Sequence, residues 1–185
     1  MSDFIAFRSI PRLMRDIIVT EKIDGTNAQV HISDDGVVRA GSRTRWITPE
    51  DDNFGFATWV REHEETLRTL GPGAHFGEWW GSGIQRKYGL SDRRFSLFNT
   101  KRWSDSTARP SCCDVVPVLY EGPFSMLAID ACFGTLAGCG SVAAPGFMKP
   151  EGIVVFHVAA NQLFKRTLDG NDGHKGHAHD SRSKA

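Results

Sequence analysis

Short segments of strand character, each closed by turn residues, recur along the chain and set the class of fold. IIVTEK and NAQVHI flank Asp24-Gly25, a dipeptide that strongly signals a hairpin turn. SDDG, Ser33 to Gly36, supplies turn residues, and VVRAGSR follows as a return strand. AHFGEWWG and RFSLFNTKRW are rich in aromatics and suit strands. VVPVLYEG reads as another, and EGIVVFHVAANQLFKRTL as two strands around an Ala-Ala-Asn-Gln turn. One long segment departs from this pattern. From Asn53 to Leu70, Phe56, Trp59, Val60, His63, Leu67 and Leu70 recur at helical spacing, and GPG ends the run. Thr48 is the expected cap, Pro49 suits the first helical position, and Glu50, Asp51 and Asp52 favour the positive end of the helix dipole. SMLAIDACFGTL reads as a short helix and GCGSVAAPGFMKP as a loop. The predicted fold is α+β, mainly antiparallel sheets with flanking helices.

The bulk properties exclude several classes. Formal net charge is +0, so contact with a polyanion requires a local basic patch. Arg86, Lys87, Arg93, Arg94, Lys101 and Arg102 are the candidates for one. No apolar run approaches a membrane span, and MSDFIAFRSIPRL lacks a signal-peptide core, which makes the cytoplasm the expected compartment. Cys112, Cys113, Cys132 and Cys139 lack the spacing of a zinc site and read as free thiols, Cys132 being the candidate for burial. No repeat or linker divides residues 1–169, which are expected to form one domain. Residues 170–185 are polar, rich in glycine and histidine, and read as a disordered tail.

Five charged residues sit at the ends or in the interiors of the strand-like segments: Lys22, Arg43, Glu78, Glu151 and Lys165. Each has an ordinary explanation. Glu78 between aromatics is a solvated-face residue or a buried carboxylate needing a cation. Glu151 opens an apolar strand after a proline. Lys165 alternates with apolar neighbours as an edge-strand lysine does.

In order, however, the segments resemble something specific. EKIDGTN, Glu21 to Asn27, resembles the KxDG motif of the covalent nucleotidyltransferases, the superfamily of polynucleotide ligases and mRNA capping enzymes. AGSRTR is similar to the second motif, FGEWWGSGIQ to the third, RFSLFNT to the aromatic one after it, KPEGIVV to the fourth and LFKRTL to the fifth. The resemblance spans Glu21 to about Asp169. The Glu-Lys-Ile-x-Gly-Thr-Asn form, with Gly-Glu-x-x-Gly-x-Gly-Ile-Gln downstream, most resembles the nick-sealing ATP-dependent RNA ligases of bacteriophages and kinetoplastids.

That resemblance implies a nucleotidyltransferase domain with an ATP cleft between two antiparallel sheets, and a lysine amine that takes AMP from ATP. AMP then passes to an RNA 5′-phosphate, and a 3′-hydroxyl displaces it to seal the strand. Lys22 is the implied catalytic nucleophile. A free lysine is neutral in only about one molecule in a thousand at pH 7, so neighbouring cations or a metal must favour the bare amine. Lys165 is the implied cation and α-phosphate clamp, and Arg43 a second cation that also touches the RNA end. Glu151 is the first choice to hold Mg²⁺ or Mn²⁺, with Glu78 supporting the metal or holding a ribose hydroxyl. Phe98 would stack on adenine, Glu21 would read its amino group, and Asn27 would contact phosphate or metal-bound water. Gly25 would let phosphate approach the backbone. The implied partners are RNA ends or a nicked RNA duplex, with a DNA–RNA hybrid also open; DNA against RNA preference stays undetermined.

Two departures bear on this. Many relatives carry Lys-x-Lys in the fifth motif, whereas this chain has Lys165, Arg166 and Thr167, and strand alternation argues against simple substitution by Arg166. Related ligases also append a C-terminal domain where only a tail is expected here, implying a minimal ligase or one that docks its substrate with a partner. Two alternatives follow. One is a GTP-dependent capping-type guanylyltransferase, disfavoured by EKIDGTN and GIQ. The other is a non-catalytic nucleic-acid-binding protein of the same fold.

Overall fold

The computed structural model describes residues 4–170, in which ten strands form two sheets. The first sheet is four-stranded, in the order β10 (Gln162–Thr167), β9 (Gly152–His157), β1 (Asp16–Lys22) and β8 (Val118–Pro123). The second is six-stranded, in the order β4 (Trp46–Ile47), β3 (Val38–Ser42), β2 (Thr26–Ile32), β5 (Gly73–Gly81), β6 (Arg93–Leu97) and β7 (Cys113–Val115). Every pairing is antiparallel except β6 with β7. The α+β expectation therefore holds.

Alternation along each strand builds the cores. Ile17 and Val19 of β1, with Ile153 and Val155 of β9, pack under Ile129 and Leu136 of α4 (Met126–Cys139). The six-stranded sheet buries Val30, Trp79, Phe95 and Leu97 against α1 (Phe56–Glu62), where the Phe56 ring lies 5.4 Å from Trp79 and 5.1 Å from Phe95. Each such side chain contributes about 1.5–3 kcal/mol by leaving water. The opposite face of each sheet stays more open, and those faces carry the expected strand-borne site residues other than Glu21.

Several local expectations are corrected. Asp24-Gly25 is not a hairpin turn: β1 and β2 lie in different sheets, so Ile23–Gly25 is a crossing between them. The hairpin expected at Ser33–Gly36 is present, with the Ser33 N–H bonded to Val37 O at 3.0 Å. The helix expected over Asn53–Leu70 breaks at His63 into α1, α2 (Glu64–Leu67) and a 3-10 turn, Arg68–Leu70. Its start is also later. Asp52 accepts from the N–H groups of Ala57 and Thr58 at 2.7 and 3.0 Å, displacing Thr48 as the capping residue. VVPVLYEG is divided at Val116-Pro117 between β7 and β8, and RFSLFNTKRW is strand only to Leu97 before α3 (Thr100–Trp103). The helix read in SMLAIDACFGTL extends to Cys139, capped by Ser125, whose Oγ accepts from Ala128 N–H at 3.2 Å. All four cysteines are free thiols; Cys113 is buried and Cys132 only half-buried. Apart from Gly170, the expected tail lies outside the described residues.

Candidate active site

Lys22 ends β1, and its partner across the ladder is Gly152, which in turn faces Thr167 of β10. One row back, Thr20 faces Val154, which faces Lys165. Directly opposed residues share a face, so Lys22, Lys165 and Thr167 all project from the side away from α4. Glu151, immediately before β9, brings its Oε2 to 2.6 Å from Lys22 Nζ. The pair is partly shielded, with side-chain exposures of 24% and 16%. Lys165 is exposed and makes no ion pair among the described residues. Arg166 points the other way, pairing with Asp130 at 2.5 Å and lying 4.0 Å over the Phe133 ring on α4. It cannot stand in for a cation on the Lys22 face.

Glu78 comes from the other sheet. Its carboxylate accepts from Gly25 N–H at 2.9 Å, so the crossing segment after Lys22 is tied directly to β5. Burial pushes the Glu78 carboxyl up to about 7, reinforced by the charges of Glu151 and Asp24 and opposed by the Gly25 hydrogen bond and Lys22. Gly25 is required by packing: a Cβ would stand 2.4 Å from Trp79 O and 2.7 Å from Trp80 Cβ. That contact is the reason the structure gives for glycine. Asn27 of β2 lies directly across from Glu78. Phe98, 40% exposed, follows β6 on the same face, and Arg43 is exposed in the bend after β3.

Glu21 has a different setting from its expected one at the adenine. It alternates with Lys22 and points to the α4 side, where it is 1% exposed. Ser141 Oγ donates to it at 2.6 Å, and the Val142 and Ala143 N–H groups at 2.8 and 2.9 Å. Its carboxylate anchors the loop between α4 and β9. The small residues of that loop suit it because their backbone donors must approach one buried anion closely.

Sequence reasoning missed a second support. Arg86 Nε donates to Asp24 at 3.0 Å, Nη1 to Lys149 O at 3.2 Å, and Nη2 pairs with Asp169. Asp24 N–H also donates to Tyr88 Oη at 2.8 Å; burial raises the Tyr88 phenol above its ordinary range. Gln85, Lys87 and Tyr88 adopt φ of 42°, 60° and 51°, a conformation that non-glycine residues hold only when their surroundings enforce it. Only the position of Arg86 just after GIQ hinted at this role. The basic patch expected from that region is correspondingly thinned. Arg86 is committed, Arg94 pairs with Asp92 at 2.9 Å, and Arg93 and Arg102 donate to backbone carbonyls.

Among the described residues no three His, Cys, Asp or Glu side chains form a metal cluster. Glu151 and Glu78 are hard oxygen donors of the kind that can hold a divalent ion together with phosphate and water. No helix among the described residues is long and apolar enough to cross a membrane.

This arrangement defines an RNA-ligase nucleotidyltransferase fold, and solved structures share it. A Naegleria gruberi RNA ligase lysine-to-methionine mutant with AMP and Mn superposes with a TM-score of 0.62 at 21% identity, covering 85% of this chain and 51% of that one. A glutamate-to-alanine mutant of the same enzyme with ATP and Mn gives 0.62 at 22% identity, over 84% and 50%. The chain thus spans about half the length of these structures. No curated protein sequence matches it. The RNA ligase profile matches residues 15–167, and the chain belongs to the RNA ligase family.

Proposed function

We propose that the chain is an ATP-dependent RNA ligase acting through a lysyl-AMP intermediate at Lys22. The observation that carries this reading is the Lys22–Glu151 pair, held at 2.6 Å on the face that also presents Lys165 and adjoins Glu78. In the first step Lys22 Nζ attacks the α-phosphorus of ATP. An N–P bond forms, the bond to the bridging oxygen breaks, pyrophosphate leaves and the amine loses its proton. In the second, an RNA 5′-phosphate oxygen takes the AMP and releases the lysine. In the third, a 3′-hydroxyl attacks that 5′-phosphorus and AMP departs.

The side chains divide the work. Glu151, the acid closest to the ammonium, holds Nζ in place at 2.6 Å. Lys165 and Arg43 supply positive charge for phosphate, and Asn27, beside Glu78, offers an amide to the same group. Phe98 offers a ring for the adenine. Glu21 holds the 141–143 loop behind the nucleophile. A Mn²⁺ ion, as accompanies nucleotide in the Naegleria structures, or a Mg²⁺ ion would be held by Glu151 with Glu78 and would neutralise phosphate charge.

Incubation with α-labelled ATP and Mg²⁺ or Mn²⁺ tests the reading. Wild type is expected to retain label covalently and Lys22→Ala to retain none. Unlabelled wild type with every metal, or equal labelling of the variant, overturns it. Competition by GTP in place of ATP would assign the chain to guanylyl transfer.

A further inference from the structure

Strand register places a second row of side chains beside the proposed site. Asn27 lies opposite Glu78, and Glu78 opposite Ser96. Two residues along, Trp46 lies opposite Gly41, Gly41 opposite Gln29, and Gln29 opposite Phe76. Phe98 continues that row, its N–H bonded to Phe76 O at 2.9 Å. Both rows share one face because side chains repeat every second residue. The reverse face is closed by the core around α1. This one is open: Trp46 is 49%, Phe76 56% and Phe98 40% exposed.

Trp46 is held rather than loose. Its ring lies over Gly41, where a Cβ would stand 3.3 Å from a ring carbon, and it meets His31 edge-on at 5.6 Å. Three strand spacings, about 14 Å, separate Trp46 from Phe76, with Gln29 between them. Arg39, opposite His31, and Arg43 flank the row, and neither forms an ion pair among the described residues. Exposed rings interleaved with an amide and unpaired guanidinium groups match the demands of an unpaired polynucleotide, whose bases stack and whose phosphates need cations.

We propose that Trp46, Gln29 and Phe76 form a stacking track for unpaired bases of single-stranded RNA, extending from the adenine position at Phe98 toward β4. The assignment of RNA as the polynucleotide rests on the function proposed above; the track itself rests on register and exposure. Its occupant is single-stranded RNA because the exposed guanidinium groups of Arg39 and Arg43 and the amide of Gln29 lie among the rings, so the face is not continuously apolar.

Of the five tryptophans, Trp79, Trp80 and Trp103 are buried and Trp59 is half-buried against Phe56 and Trp79 on the opposite face, so emission changes report chiefly on Trp46. The full chain is titrated with a short oligoadenylate bearing a 5′-hydroxyl, which cannot accept AMP. Quenching of emission is expected in wild type; affinity, read in every variant by anisotropy of the same oligonucleotide carrying a 3′ fluorescein, falls about tenfold in Trp46→Ala or Phe76→Ala and is largely restored in Trp46→Phe. Blunt duplex RNA is expected to leave emission unchanged. Lys22→Ala should bind as wild type does, and Phe76→Ala should still take label from ATP. Unquenched emission together with undiminished affinity in both alanine variants overturns the track. So does self-association of wild type that disappears in Trp46→Ala, which would give the face to a second copy. Quenching without any ATP labelling would leave the track standing and remove the ligase reading instead.

Discussion

Lys22 Nζ and Glu151 Oε2 meet at 2.6 Å although 129 residues separate them in sequence. Two adjacent strands, β1 and β9, make that meeting inevitable once Lys22 pairs with Gly152. Glu151→Gln keeps the shape and removes the charge. Its rate of label incorporation from ATP is expected to fall by about 100-fold or more, measured as initial rates on a denaturing gel. Its stability to urea is expected to change by less than about 1 kcal/mol, because the pair is only partly shielded. A large loss of stability with normal labelling would make the pair structural.

Glu78 links stability to pH. Its carboxyl is raised from 4.5 to about 7, so between those values the folded chain binds more protons than the unfolded one. The sign follows: the contribution is full below about pH 4.5 and is lost as pH rises through about 7. Glu78→Gln should match wild type in urea melts near pH 4.5 and exceed it by about 2–3 kcal/mol at pH 8. The same variant should label poorly. Equal stability at both pH values would show that burial does not govern this group.

Arg86 joins Asp24 of the crossing segment to Asp169 beyond β10, and so ties the two sheets. Arg86→Ala is expected to lose about 2 kcal/mol in urea denaturation, since two carboxylates are left without their partner. Arg86→Lys should recover little, because one ammonium cannot reproduce the fork. A full recovery with lysine would reduce the contact to simple charge.

Glu21→Ala strips the acceptor from Ser141 Oγ and two backbone N–H groups behind β1. The expected cost is about 2–4 kcal/mol, with faster hydrogen exchange at Val142 and Ala143. Unchanged exchange at those two amides would contradict the anchoring role.

Neighbouring residues of β10 should behave oppositely. Lys165→Ala is expected to slow labelling by about tenfold or more while leaving stability within about 0.5 kcal/mol. Arg166→Ala should leave labelling intact, since its guanidinium packs on Phe133 and Asp130. Loss of labelling in Arg166→Ala would mean that the two faces are coupled.

What could be read in the chain beforehand was local and periodic. Alternation in β1, β9 and β10 disclosed which residues share a face, and that alone kept Arg166 from replacing a lysine. Motif order marked Lys22, Glu78 and Glu151 as a set. The Asp24-Gly25 dipeptide misled, because a hairpin and a crossing between sheets use the same turn chemistry. The long helix was over-read for a related reason: its apolar spacing continues through His63, while Asp52 and the strained Phe54–Gly55 backbone decide where it starts.

The sequence by itself determined the strand periods, the α+β class and the identity of the charged groups, because each depends on residues a few positions apart. Tertiary structure alone decided that Glu21 faces a loop while Lys22 faces an acid, that Arg86 bridges two sheets, and that Trp46, Gln29 and Phe76 fall in one row. Those facts depend on register between strands distant in the chain, and register is fixed only when the cores on both sheets close together.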